Sequence, residues 1–341
     1  MVTNTSSDST PSTHEDDDRS SNSDYLDSSI RIGELKVEHF MTKNPVVAHS
    51  NVNLPGAIDI MTTKSIGNLI VIENEEPVGV FTEREILSCL YSHKQVPSHI
   101  LLRDIKLQPF CSVSPTASVL SAAKKMISNK CRILVLAGKN KVTEPKIQRS
   151  GSRRIEGIIT ASDMVRAFSK QADKDPQLKS VITKKLVFAD CTDSIYHLIE
   201  LMHREKIGSI IIVQNGSSES KKLYGIFTER DLLSRVLSKD VSLYDEVRNY
   251  CSTELITAHL GITALEAAKI MRIGNIKRLP LIVPKSVSRK KGTEKSFSLS
   301  DVAITKDENN QVKAIVTAKD LVDVIIKLDI KGTPREGKAA W

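Results

Sequence analysis

Aromatic side chains make up only 4% of this chain, with a single tryptophan, so its cores have to be built from Ile, Leu, Val, Ala and Met. Cysteine is scarce as well. Cys89, Cys111, Cys131, Cys191 and Cys251 are an odd number without a C-x-x-C, which argues against a disulfide framework and a thiolate zinc site and points to buried free thiols. No apolar run nears the ~20 residues that a membrane-crossing helix needs, and no basic start followed by an apolar stretch opens the sequence. The expectation is a cytoplasmic protein without membrane contact. His197 and His203, six apart, do not share a helical face, and no other histidines have metal-ligand spacing. A Gly-rich phosphate loop and a G-x-S-x-G are both missing. Catalysis thus has little support, and the chain reads as a non-enzyme.

The net charge of +8 is unevenly spread. Residues 1–30 hold seven acids and one base, so they carry −6 and the remainder carries +14. Rich in Ser and Thr and poor in apolar residues, that leader cannot bury enough surface to fold and is expected to be a disordered acidic tail. Two stretches concentrate the opposite sign. Residues 138–155 hold six bases against Glu144, and 284–295 hold five against Glu294. Such stretches can meet a polyanion, can be covered by the acidic tail, or can be solvated loops. No aromatics are interleaved with the bases, which weakens single-strand stacking.

What the sequence does have is repetition. GVFTEREIL (79–87) returns as GIFTERDLL (225–233), with looser echoes GIITASDMV (157–165) and AIVTAKDLV (314–322). Upstream of each lies an i, i+3, i+4, i+7 apolar stripe ending on a methionine: Met61, Met126, Met202 and Met271. Five residues after each Met begins a short apolar run: IGNLIVI, CRILVLA, IGSIIIV and IKRLPLIV. These are expected to be strands covered on both faces. Each unit therefore predicts helix, strand, strand, helix, preceded by a short extended piece. The distance from Met to the echoed Thr varies, and all of the extra length is expected in the loop between the two strands. A unit this small needs a neighbour to complete its core. Consecutive units are expected to pair, giving two modules joined by a polar linker at 171–178.

In this pattern the chain resembles the cystathionine β-synthase (CBS) domain family, whose members occur in tandem pairs called Bateman modules. The resemblance rests on VEHFMTKNPVVA (37–48) and its counterparts, the Met-ending helix, the strand typified by IKRLPLIV, and Thr-x-x-Asp, in four ordered copies. It implies a mixed α/β (α+β) fold: an acidic tail at 1–30, CBS repeats at 33–92, 100–170, 178–239 and 244–330, and a C-terminal tail at 331–341. Four-copy forms look like the regulatory subunit of AMP-activated kinase. The resemblance implies a sensing protein that regulates another protein, taking AMP, ADP or ATP, with S-adenosylmethionine or NAD as further adenosine ligands, in clefts between paired repeats. A nucleic-acid-associated regulator using the basic stretches and an unliganded scaffold are the alternatives. Four units can close on themselves or pair with a second chain as a homodimer.

Physically, Thr with an acid three residues on is first a helix capping box. It accounts for Thr82 with Glu85, Thr160 with Asp163, Thr228 with Asp231 and Thr317 with Asp320. The same helix start offers unpaired N–H groups to a phosphate. The resemblance implies that the Thr contacts phosphate and the acid takes the ribose hydroxyls. Arg84, Arg230 and Lys319 sit just before the acids of copies one, three and four, where a cation could neutralise phosphate. Arg132, Lys277 and Arg278 begin otherwise apolar strands, and a cation there needs an anionic partner. Glu85, one methylene longer than Asp, is expected to push its carboxylate toward the sugar. Thr228, Arg230 and Asp231 are the first candidates, followed by Thr317 with Asp320.

Overall fold

The computed structural model describes residues 32–136, 154–170, 178, 186–215, 221–284, 303–305 and 310–330. The acidic tail, the C-terminal tail, nearly all of the linker and most of both basic stretches lie outside these residues.

Four units of one topology follow each other. The first has β1 (Thr42–Lys43), β2 (Val47–His49), α1 (Leu54–Thr63), β3 (Asn68–Glu73), β4 (Glu76–Thr82) and α2 (Glu83–His93). The second has β5 (Phe110–Val113), α3 (Val119–Ser128), β6 (Arg132–Leu136), β7 (Ile155–Ile159) and α4 (Ala161–Phe168). In the third are β8 (Phe188–Asp190), α5 (Ile195–Glu205), β9 (Ser209–Asn215), β10 (Lys221–Thr228) and α6 (Glu229–Asp231). The fourth has β11 (Leu255–His259), α7 (Ala264–Ile273), β12 (Arg278–Pro284), β13 (Ala303–Thr305), β14 (Asn310–Thr317) and α8 (Ala318–Ile330). In every unit a lead-in strand runs parallel to the middle strand, which pairs antiparallel with the last. The first helix of each unit is capped by a side chain, from Asn53, Ser118, Ser194 and Thr263 in turn. All four stripe methionines are buried, as core filling requires.

The extra length does fall between the last two strands, with one addition. Within the fourth insertion, β13 pairs antiparallel with β11 and widens that sheet to four strands. A second departure lies in the third unit. Its last helix keeps α geometry only through α6, then makes a π turn (Leu232–Val236) and a 3-10 turn (Leu237–Lys239). Ser234 and Ser238 donate their hydroxyls to the carbonyls four residues back, but Ser88 and Ser92 do the same in the regular helix α2, so these bonds alone do not set the π turn.

The two faces of each unit go to different neighbours. Sheet faces join consecutive units: Ile70, Ile72 and Val80 meet Leu134 and Ile158, and Ile211, Val213 and Ile226 meet Leu255, Ile282 and Val312. The larger cores join alternate units. Leu54, Met61 and Leu90 of the first unit share one with Leu198, Met202 and Phe227 of the third, and the second unit shares another with the fourth. The sequence predicts that consecutive units pair and leaves open by which face. The helical pairing closes four units on themselves, because each amphipathic helix face finds its cover one module away.

Lead-in segments cross to the neighbouring unit, in both directions in the first module and from the fourth unit to the third in the second, and this explains the glycine of the echoed phrase. Next to Gly225, Ser252 on the way into the fourth unit trades backbone hydrogen bonds with Ile226, at 2.9 Å in both directions. A Cβ on Gly225 would lie 2.6 Å from the Ser252 carbonyl oxygen. Gly79 meets Leu107 and Gly157 meets Met41 in the same way. Gly225→Ala is therefore expected to cost about 2 kcal/mol, since backbone must move. Gly261→Ala, whose Cβ would meet nothing nearer than 3.6 Å, should change stability by less than about 0.5 kcal/mol. Equal urea midpoints for the two variants would contradict the crossing.

Candidate functional site

All four Thr-x-x-acid steps are closed capping boxes. The carboxylate of Asp231 accepts from both the N–H and the hydroxyl of Thr228, at 2.9 and 2.6 Å, and the Asp231 N–H donates back to the hydroxyl at 3.2 Å. Thr160 with Asp163 and Thr317 with Asp320 repeat this arrangement. Each threonine hydroxyl proton is thus engaged by its own acid. A phosphate can take that proton only by displacing this bond.

The second carboxylate oxygen distinguishes the sites. In the third unit Oδ1 of Asp231 accepts from the Ser252 hydroxyl at 3.1 Å and faces Arg235, on the π turn, at 3.3 Å. Asp163 Oδ1 is held by Arg166 at 3.0 Å. Burial pushes the Asp163 carboxyl up, against the pull of the Thr160 hydrogen bonds, Arg166 and Lys277. In the first unit the longer Glu85 does not reach toward a sugar. It folds back so that Oε2 closes the box at 2.6 Å, and Oε1 accepts from the Gln108 amide at 2.6 Å. Gln108 bridges β4 as Ser252 bridges β10, so the first module has a long amide where the second has a small hydroxyl.

A cavity of about 480 Å³ opens between the third and fourth units. Thr228, Arg230 and Asp231 line it from one side and Lys277 and Arg278 from the other. Ile226, Leu255, Ile256 and Pro280 give it an apolar wall, and Ser162 and Arg166 of the second unit complete it. The remaining candidates lie elsewhere. Thr317 and Asp320 start α8 behind the strand that carries Arg278, whose register partner is Thr317, and Lys319 is exposed. Thr82, Arg84, Glu85 and Arg132 belong to the first module.

The anionic partners expected for the strand cations are found for Lys277 and Arg278 as Glu83 and Glu229, which the sequence reading did not single out. Arg278 Nη2 sits 2.7 Å from Glu229, and Lys277 Nζ 3.8 Å from Glu83. Arg84 of the first unit faces Glu229 of the third at 3.7 Å, and Arg230 of the third faces Glu83 of the first at 3.8 Å. Burial lowers the Lys277 ammonium and the Arg132 guanidinium; Glu83 opposes this at Lys277, and Glu85, Glu229 and Glu83 oppose it at Arg132. The Nε of Arg132 and Oε1 of Glu83 are buried without a hydrogen-bond partner among the described residues.

The signal for this hub was present in the sequence as an alternation. Thr-Glu-Arg and Ile-Gly occur together in units one and three, while units two and four have Thr-Ala and a base at the glycine position. Gly67 and Gly208 make room for the two glutamates: a Cβ on Gly67 would lie 2.9 Å from Glu83, and one on Gly208 would collide with Glu229 and Arg278.

The cysteines are free, with Cys131, Cys191 and Cys251 buried. Burial pushes the Cys131 thiol up to about 12, with neighbouring Cys111 adding to it, and Cys251 up to about 11. Among the described residues no group of three His, Cys, Asp or Glu side chains could hold a metal ion, and no helix is long and apolar enough to cross a membrane.

A family model for the CBS domain matches residues 37–92, 102–170 and 178–238, more than half of the chain. The chain belongs to the CBS domain family. The fourth CBS unit, beyond those matches, has the same strand order and capping box. Among curated proteins, an uncharacterized 33.4 kDa protein in a ribosomal RNA operon of Thermofilum pendens is 23% identical over 58% of this chain and 63% of its own length. Uncharacterized protein MJ1404 of Methanocaldococcus jannaschii is 24% identical over 74% of this chain and 58% of its own. Inosine-5'-monophosphate dehydrogenase of Bacillus subtilis is 28% identical over 56% of this chain, but the match spans only 33% of the enzyme. Among solved structures, protein MJ1225 from Methanocaldococcus jannaschii, proposed as an archaeal homolog of g-AMPK, superposes with a TM-score of 0.62 at 18% identity, covering 85% of this chain and 99% of that one. An uncharacterized conserved protein from Pyrococcus horikoshii gives 0.51 at 19% identity. These likenesses show the fold.

The raised Asp163 carboxyl makes a pH test. A carboxyl whose folded pKa lies above its unfolded value binds its proton more tightly when folded, so its contribution to stability is present at low pH and is lost as pH rises through the folded value. Asp163→Asn should therefore gain stability relative to wild type between about pH 4 and about pH 7. A urea-midpoint difference that is flat or falls over that window would contradict the burial argument.

Proposed function

We propose that this CBS protein is a non-catalytic regulatory sensor that binds an adenosine nucleotide in the cleft between its third and fourth units. The observation that carries this reading is the convergence of Thr228, Arg230, Asp231, Lys277 and Arg278 on one cavity of about 480 Å³. That volume suits a small-molecule ligand. The apolar wall formed by Ile226, Leu255, Ile256 and Pro280 accepts adenine. Asp231 accepts from the ribose hydroxyls at Oδ1, in place of the Ser252 hydroxyl. Arg230, Lys277 and Arg278 take the phosphate at the helix start after Thr228.

Thr317, Lys319 and Asp320, then Thr160 and Asp163, are secondary candidates. Thr82, Arg84, Glu85 and Arg132 come last, because Gln108 already occupies the second oxygen of Glu85. In this reading the protein acts in the cytoplasm on a partner protein through ligand-dependent change at its module contacts. S-adenosylmethionine and NAD share the adenosine moiety and belong to the same test.

The closed boxes favour one rival, a scaffold in which Thr and Asp only cap helices. Asp231→Asn separates the two readings, since Asn retains an acceptor for the box and loses the anion that takes a ribose diol. Titration calorimetry on the full chain with AMP, ADP, ATP, GMP, S-adenosylmethionine and NAD should show an adenosine compound binding. Ligand at about a hundredfold over its Kd should stabilise by about 2.7 kcal/mol. Asp231→Asn should weaken that binding by about tenfold or more. No heat and no thermal shift with any of the six, or undiminished affinity in the variant, would contradict the reading.

A further inference from the structure

We infer that Glu83 and Glu229 set how many phosphate charges the cleft accepts, acting as built-in anions that share its cations. This rests on the nucleotide reading above and extends it to the choice among nucleotides.

The two glutamates do not line the cavity. They stand behind the cations that do. Arg278 lies in the cavity wall and at the same time 2.7 Å from Glu229; Lys277 and Arg230 lie in the wall and 3.8 Å from Glu83. Arg84, from the first unit, completes the group at 3.7 Å from Glu229. Asp231 and Asp163 have their own arginines, Arg235 and Arg166. The hub thus sets Arg84, Arg230, Lys277 and Arg278 against Glu83 and Glu229, an excess of two, and adding the neighbouring Arg132 with Glu85 leaves that excess unchanged.

A phosphate monoester carries about −1.5 to −2 near neutral pH and offsets that excess. A longer phosphate chain adds charge to a wall whose cations are largely engaged: Arg278, Lys277 and Arg230 by the glutamates, Arg235 and Arg166 by their aspartates, with Arg272 and Glu254 adding one charge of each sign. The longer chain must either draw Arg278 and Lys277 away, leaving buried carboxylates unpaired, or face Glu83 and Glu229 across them. Two features show that the acids are built in. Gly67 and Gly208 leave the space that their carboxylates fill. Each also sits at the first position of a helix, where the dipole favours an anion. Arg230 meets Glu83 Oε1 only at ion-pair distance, and that oxygen has no hydrogen bond among the described residues, so Arg230 can turn toward a ligand.

Equilibrium binding of labelled AMP and ATP to the full chain at fixed salt and without magnesium tests this. Wild type should bind AMP at least as tightly as ATP. Glu83→Gln and Glu229→Gln, which keep shape and remove charge, should each move the ratio of affinities toward ATP by about tenfold. Glu200→Gln, an exposed change on α5, should leave the ratio unchanged. Wild type binding ATP ten times more tightly than AMP overturns the inference without any variant, so it stays exposed even if a hub variant does not fold. Both Gln variants keeping the wild-type ratio within twofold also overturns it, and in either case the nucleotide reading stands. Wild type binding neither AMP nor ATP overturns the inference, while the reading falls only when none of the six compounds binds.

Discussion

Two buried carboxylates at helix starts need cations that their own units do not supply. Glu83 and Glu229 begin α2 and α6, each folded over a glycine, and the bases that neutralise them come from other units: Arg84 and Arg230 exchanged between units one and three, and Lys277 and Arg278 from unit four. The costly loss is that of Arg278, the most buried of these bases at 2.7 Å from Glu229, because that carboxylate then keeps only the half-exposed Arg84. Three of the four units must therefore be in place before the cleft has its cations in position. The large apolar cores, shared between alternate units, bring them there.

Much of this fold could be read from the sequence because it rests on local periodicity. The i, i+3, i+4, i+7 stripes, the apolar strand runs and the shifting Met-to-Thr distance each specify one element, and the structure has those elements in that order. The CBS resemblance followed from their fourfold recurrence. The alternate pairing of helix faces was harder to read, since a stripe shows that a helix is covered and not by which unit. Nor does the sequence announce the π turn: Ser234 and Ser238 stand where α2 has Ser88 and Ser92, which make the same hydroxyl bonds in a regular helix.

The site was legible in its residue types and less so in their partners. Thr228, Arg230, Asp231, Lys277 and Arg278 were all marked by sequence position, and they line one cavity. Glu83 and Glu229 look like ordinary first-turn acids until the glycine alternation places cations from other units against them. Arg166 is similar: nothing in ASDMVRAF tells that its side chain completes a cleft in the other module. Glu85 is instructive in the opposite sense. Its extra methylene folds back onto Thr82 and meets Gln108, so the difference between Glu and Asp acts through what fills the space beside it.

The two modules are thus similar in topology and unequal in chemistry. The second pairs a small Ser252 with Asp231 beside an open cavity, while the first pairs Gln108 with Glu85. Because Ser162 and Arg166 wall the cavity of the second module, a ligand there touches both modules. Hydrogen–deuterium exchange of the full chain with and without saturating AMP tests this account most directly. Slowed exchange at 226–235 and 275–280 together with 161–166, across the module boundary, is the predicted result. No change, or slowing confined to the first module around 80–86 and 106–110, would contradict it.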